Sequence, residues 1–170
     1  MIIIEGADKV GKSTFANELL KLTGFEYRHM TKPPEDFDHV AGYMDGVAAR
    51  VVQDRYHLGA SVYGQMLGLG GFPTYQEMRI VQRYLRWQGA VVVILSCEDW
   101  RMEELLAADE VSEEMYDPAT IRAANRGFRA LTSCSNHGEP WCDMHIDVTD
   151  GWPDEVDMTK IVDLWKRRQR

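Results

Sequence analysis

Cysteine is scarce in this chain. Three in 170 residues, an odd number, cannot build the bridged framework of a small secreted domain. Long apolar runs are missing too, and none approaches the roughly 20 residues needed to cross a bilayer, which predicts a protein with no membrane segment. Positive charge is in deficit: 19 Lys and Arg against 27 Asp and Glu leave a net −8. That balance disfavours tight, indiscriminate binding to polyanions, although a local basic groove is compatible with it. No internal repeat, low-complexity tract or linker interrupts the chain, so residues 1–170 read as a single domain, large enough for a proper core. An apolar strand starting at the first residues leaves no room for a signal peptide, which predicts a cytoplasmic protein.

What is present begins with Met1–Thr14, MIIIEGADKVGKST. A short apolar run ahead of a glycine turn reads as a buried parallel strand. Gly6 to Ser13 then spell G-x-x-x-x-G-K-S and lead into a helix, the strand–loop–helix context of a phosphate-binding loop. Gly6 and Gly11 permit the dihedrals that turn successive N–H groups inward, and the helix from Lys12 or Ser13 brings its positive dipole end to the same point. Lys12 is expected to neutralise the β/γ-phosphates and Ser13 to hold Mg²⁺ through its hydroxyl. The loop, with Gly6, Ala7, Val10, Gly11, Lys12, Ser13 and Thr14, is therefore a candidate site for a nucleoside triphosphate.

Further along, Phe25–Met30, Val47–Val52 (running on to Gln53-Asp54-Arg55), Ala90–Leu95 and Cys142–Val148 read as strands. Helices are expected over a weak stretch from Glu35 to Gly46, then His57–Met66, Thr74–Trp87 with Thr74 as N-cap, Trp100–Ala107, Pro118–Leu131 and Asp154–Arg168, with loops at 67–73 and 133–140. Strands alternating with helices imply an α/β fold with a five-stranded parallel sheet and helices on both faces. Cys134, His137, Cys142 and His145 carry a zinc-like spacing. Strand alternation would send Cys142 and His145 to opposite faces, so ordinary thiol and imidazole roles stand beside zinc as the alternative. Arg79, Arg83 and Arg86 line one helix face, either a solvated surface or a track for a nucleic-acid backbone.

Glu5 to Thr14 resembles the E-G-x-D-x-x-G-K-[ST]-T opening of the thymidylate kinase branch of the P-loop nucleoside monophosphate kinases, and Asp54-Arg55-Tyr56 resembles that family's D-R-[YHSW]. Thr31-Lys32-Pro33-Pro34 resembles its T-R-E-P stretch with two changes, and Tyr63 meets its aromatic nine residues after the Asp. The resemblance, to a short, phage-type member, implies a P-loop NTPase three-layer sandwich with ATP and Mg²⁺ as cofactors. It assigns Asp8 to the acceptor sugar and reacting phosphate, Arg55 to the acceptor's phosphate, Asp54 to the metal beside Ser13, and Lys32 and Tyr63 to the substrate. Lys9 stands where some members carry a catalytic arginine in the loop. The lid, about 103–117, holds seven acidic residues and no basic one, so the transition-state charge is expected to be met by Lys9, Lys12 and Arg55, with Arg122, Arg126 or Arg129 as further sources. Family members are commonly dimers, which makes a homodimer the expectation.

The interval from Pro34 to Asp54 is short for this family, and Gly59 replaces a usual serine. Tyr63, Tyr43 and Phe72 are candidates either to stack on an acceptor base or to join the core. Three readings follow. One is ATP-dependent phosphoryl transfer to a deoxynucleoside monophosphate, dTMP or a modified pyrimidine relative. The second is a kinase acting on a hydroxyl of a nucleoside or of a modified base such as 5-hydroxymethyluracil in DNA. The third is a nucleotide-binding regulatory ATPase.

Overall fold

A computed structural model describes residues 1–31, 33–34, 36–67, 73–108, 116–136 and 138–170. Strand β1 (Ile2–Gly6) lies at the centre, and all five of its residues are buried. β4 (Val91–Ser96) is likewise buried throughout. Apolar residues at every position, rather than at alternate ones, are what a strand covered on both faces requires. β2 (Glu26–His29), β3 (Val51–Asp54) and β7 (Met144–Asp147) complete a five-stranded sheet in the order β2-β3-β1-β4-β7, with every pairing parallel.

Helix α1 (Lys12–Thr23) returns the chain from β1 to the far edge and packs with α7 (Glu155–Arg168) on one face. α3 (His57–Leu67) and α6 (Pro118–Ser133) pack together on the other, with α5 (Asp99–Ala107) against α6 and α4 (Tyr75–Trp87) against α2 (His39–Asp45). The α/β class, the parallel five-stranded sheet and the two helical layers are as expected. Caps account for several boundaries. Thr74 and Glu77 form a reciprocal capping box on α4, Asp117 caps α6 and Asp154 caps α7.

Two local expectations are corrected. β3 starts at Val51 rather than Val47, because Arg50 adopts a left-handed conformation (φ 57°) that breaks the strand ahead of it. The 133–140 loop contains a short antiparallel hairpin, β5 (Ser135–Asn136) with β6 (Glu139–Pro140). Among the described residues no helix is long and apolar enough to cross a membrane.

Candidate active site

The carboxyl ends of β1 and β3 lie side by side, and the site residues sit where those strands stop. Gly6 leaves β1 with φ 150°, and a Cβ there would lie 2.4 Å from the Leu95 carbonyl oxygen. Gly6→Ala should therefore destabilise the protein by about 1–3 kcal/mol, the usual range for forced overpacking, measured as a shift of the urea midpoint. Lys9 (φ 71°) and Gly11 (φ 86°) supply the other left-handed turns of the loop. Gly11 is the N-cap of α1 and brings no side chain to its first-turn amides, which leaves them to meet a phosphate. Lys12 is 5% exposed, and its Nζ donates to the Ala7 carbonyl at 2.6 Å and lies 3.4 Å from Asp8 Oδ1. Burial lowers its pKa, while Asp8 acts in the opposite direction.

Arg55 follows β3 in a left-handed conformation (φ 63°), an unfavourable state for a residue with a Cβ. The turn is pinned from three sides. The Arg55 N–H donates to the Ile4 carbonyl (3.0 Å), the buried Gln53 amide donates to the Arg55 carbonyl (3.1 Å), and the guanidinium donates to Asp8 Oδ1 (2.6 Å). Asp8 thus lies between two cations, Lys12 and Arg55. Its backbone N–H donates to the Tyr63 hydroxyl at 2.9 Å.

Asp54 is fully buried. Its Oδ2 accepts from Ser13 Oγ and from the Tyr27 hydroxyl, each at 2.9 Å, and His29 Nδ1 lies 3.5 Å away. Its Oδ1 has no hydrogen-bond partner among the described residues. A buried carboxylate oxygen without a donor, next to a serine hydroxyl at the mouth of a phosphate loop, fits a hard divalent cation. Ser13 and Asp54 would hold Mg²⁺, which when bound would neutralise charge on the phosphates.

Behind this layer Glu5 is fully buried, and its carboxylate accepts from the Leu58 and Gly59 amides at the start of α3 (2.8 and 3.1 Å). A Cβ on Gly59 would lie 3.1 Å from Glu5 Oε2, which is a reason for glycine here that the sequence alone does not reveal. His57, also fully buried, pairs with Gln82 at 2.6 Å, and its Nδ1 lies 3.9 Å from Glu5. Burial pushes Glu5 up to about 7, against the pull of the Leu58 amide, and pushes His57 down to about 4. Protonated Glu5 therefore contributes stability that is fully present below about pH 4.5 and is lost as pH rises through about 7. Neutral His57 contributes stability that is present above about pH 6.5 and is lost as pH falls through about 4. The two oppose each other between about pH 4.5 and 6.5. In Glu5→Gln only the His57 contribution remains, so the variant should gain stability relative to the native protein as pH rises from about 4.5 to 7. Urea midpoints at stepped pH values measure this, and parallel profiles would contradict it.

The remaining sequence candidates divide clearly. Tyr63 is stacked on Tyr116 (centroids 4.8 Å, 21° between planes), and burial raises its phenol pKa. Tyr43 is fully buried against Tyr56 and Phe37 and belongs to the core. Lys32, Phe72, His137 and residues 109–115 of the lid lie outside the described residues. Arg122 pairs with Glu103 (3.0 Å), Arg126 with Asp99 (2.8 Å) and Arg129 with Glu98, a ladder joining α5 to α6. Exposed pairs of this kind are worth about 0–1 kcal/mol each. Arg83 pairs with Glu139 (3.2 Å) and Arg86 donates to the Pro140 carbonyl, so two of the three stripe arginines are engaged with the hairpin. Of the zinc-like quartet, Cys142 is buried, Cys134 is exposed and His145 bonds Ser96 (2.8 Å). Among the described residues no three His, Cys, Asp or Glu gather for a metal.

Three neighbours of the site escaped sequence reasoning. Tyr27 and His29 reach Asp54 because the register sets His29 opposite Asp54, and Tyr27 two residues away shares its face. Trp152 covers Gly11 so closely that a Cβ there would meet its ring at 2.4 Å, and its edge meets Phe15 with centroids 6.3 Å apart.

No protein-family model matches the sequence, and no curated protein is similar to it. Solved structures are. The YorR protein of Bacillus subtilis, in complex with phosphorylated GDP, superposes with a TM-score of 0.70 at 20% identity, covering 99% of this chain and 96% of that one. The deoxyadenosine kinase of M. mycoides with bound dATP gives 0.51 at 15% identity over 95% and 97%. The same enzyme with dCMP and a flexible dCDP gives 0.53 at 14% over 98% of both chains. The α/β fold with its five-stranded parallel sheet is the fold of these solved structures. The likeness to the first of these runs over almost the whole chain.

Proposed function

We propose that this protein is a kinase that passes the γ-phosphate of ATP to a deoxynucleoside monophosphate, dTMP or a modified pyrimidine relative. The observation that carries the reading is Arg55, held in a left-handed turn with its guanidinium 2.6 Å from Asp8 inside the phosphate loop. A strained backbone pinned from three sides holds this second cation at the Asp8 oxygen that Lys12 also approaches, which supports an acceptor bearing its own phosphate. Phosphoryl transfer requires alignment and cationic stabilisation more than covalent chemistry, and these residues supply both. The loop amides and Lys12 would bind the donor's phosphates, with Lys9 adding charge at the loop. Arg55 would hold the acceptor's phosphate, Asp8 would orient the acceptor, and Tyr63 would fix the Asp8 backbone.

A second reading, transfer to a hydroxyl, is favoured by Asp8, a carboxylate beside the cations that could accept a hydroxyl proton. The DNA form of that reading loses support from the engagement of Arg83 and Arg86 with the hairpin. The regulatory-ATPase reading leaves the Arg55–Asp8 pair without a task.

The deciding experiment incubates the protein with γ-labelled ATP and Mg²⁺ against separate panels of deoxynucleoside monophosphates, nucleosides, and plain or hydroxymethylated DNA. Label in a nucleoside diphosphate is the expected outcome. Label in a nucleoside monophosphate or in DNA supports the second reading, and label only in inorganic phosphate supports the third.

A further inference from the structure

We infer that His29 supplies an imidazole donor to the divalent-cation site at Ser13 and Asp54, extending that site from Mg²⁺ to the transition ions Mn²⁺ and Co²⁺; this rests on the assignment of Ser13 and Asp54 to the cation.

Four polar groups from three elements converge on one point. Ser13 comes from the first turn of α1, Asp54 from the end of β3, and Tyr27 and His29 from the edge strand β2. The Ser13 Oγ to Asp54 Oδ2 distance is 2.9 Å. Neighbouring ligands of an octahedral ion with bonds of 2.0–2.1 Å stand about 2.9 Å apart, a separation this hydrogen-bonded pair can keep on turning to a cation. His29 Nδ1 lies 3.5 Å from the same oxygen, and a shift of about 0.5 Å brings it to that spacing.

Tyr27 has a different part. Its hydroxyl donates to Asp54 Oδ2 at 2.9 Å and fixes the rotation of the carboxylate, so Tyr27 is a positioning residue. Ser13 and His29 both face Asp54 Oδ2, so Oδ2 is the oxygen that would meet the cation beside them, while Oδ1 is buried with no hydrogen-bond partner among the described residues. His29 is 36% exposed on its strand, so the ring can swing toward a metal without repacking the core.

Carboxylate and hydroxyl oxygens suit Mg²⁺ and Mn²⁺ alike, whereas an imidazole adds affinity for transition ions, rising from Mn²⁺ to Co²⁺, and little for Mg²⁺. The donor set here is mixed: a carboxylate and a hydroxyl with an imidazole beside them. A site with that mixture should rank Mn²⁺ and Co²⁺ above Mg²⁺ by a wider margin than hydroxyl and carboxylate alone would.

The test uses the whole chain with inorganic triphosphate, which carries no nitrogen, and Mn²⁺ as the paramagnetic probe. Pulsed electron paramagnetic resonance of the ternary mixture should show coupling of Mn²⁺ to a ¹⁴N nucleus. The coupling should vanish in His29→Ala and in His29→Asn, two variants whose melting temperatures check folding. Mn²⁺ affinity should fall about tenfold in both, with Mg²⁺ affinity changed less than about twofold. Absence of ¹⁴N coupling in the native protein, its persistence in the His29 variants, or equal Mn²⁺ affinities would overturn the inference. Ser13→Ala and Asp54→Asn separate the two levels. If both leave Mn²⁺ binding unchanged, the cation assignment itself fails; if they weaken it while the His29 variants do not, only the role of His29 fails.

Discussion

Arg55→Ala is expected to lower the rate of phosphoryl transfer by about 10²–10³-fold, the range found when one preorganised donor to a developing charge is removed. ATP affinity should stay within about threefold, because in the proposed reading Lys12 and the loop amides would carry donor binding and Arg55 would face the acceptor. The acceptor's KM should rise together with the fall in kcat. Stability should change little. Alanine keeps the unfavourable left-handed φ of 63°, and the backbone bonds to Ile4 and Gln53 do not involve the side chain. The guanidinium pair with Asp8 is over a third exposed on the Arg55 side, which limits its worth. Arg55→Lys should recover only part of the rate, since an ammonium offers a point charge where a guanidinium offers a fork. Steady-state kinetics with ATP and acceptor varied independently measures all of these, and an unchanged kcat in Arg55→Ala would remove Arg55 from the site.

Lys12→Ala should harm both binding and turnover. Lys12 is 5% exposed, and its ammonium contacts the Ala7 carbonyl and Asp8, at the point where the loop closes. A charge-assisted hydrogen bond is worth about 1.5–3 kcal/mol, so the ATP dissociation constant should rise about 10–100-fold. Because in the proposed reading the same cation would meet charge that grows during transfer, kcat should drop by a further 10²-fold or more, an order-of-magnitude expectation for a lost electrostatic stabiliser. Lys12→Arg should not rescue, since a buried site shaped around a compact ammonium has no room for a planar fork. Calorimetry with a non-hydrolysable ATP analogue gives the binding component and single-turnover kinetics the chemical one. The contrast between the two variants is the informative result: Arg55→Ala separates transfer from donor binding, and Lys12→Ala does not.

The features legible in the sequence were those fixed by local pattern. Ile2–Ile4 and Val91–Leu95 are apolar at every position, and such short runs between turns become strands buried on both faces. The glycine spacing of the loop and the Thr74 cap act over a few residues, and both appear as local chemistry requires. Features set by distant partners were not legible. Arg79, Arg83 and Arg86 form a basic stripe on a helical wheel, yet Arg83 and Arg86 find the β5–β6 hairpin more than fifty residues away in the chain. Tyr43 is as aromatic as Tyr63, but tertiary packing sends one to the core and the other to the Asp8 backbone. The convergence of Tyr27 and His29 on Asp54 depends on the parallel register of β2 with β3, which local pattern does not encode.

The central claim is that one cup grips the donor's phosphates while Arg55 presents the acceptor to them. A crystal structure with Mg²⁺, a non-hydrolysable ATP analogue and thymidine monophosphate tests it most directly. The triphosphate is expected among the amides of residues 6–14, with the Arg55 guanidinium within about 3 Å of an acceptor phosphate oxygen. A triphosphate bound elsewhere, or Arg55 turned to solvent with no acceptor opposite the γ-phosphate, would contradict the account.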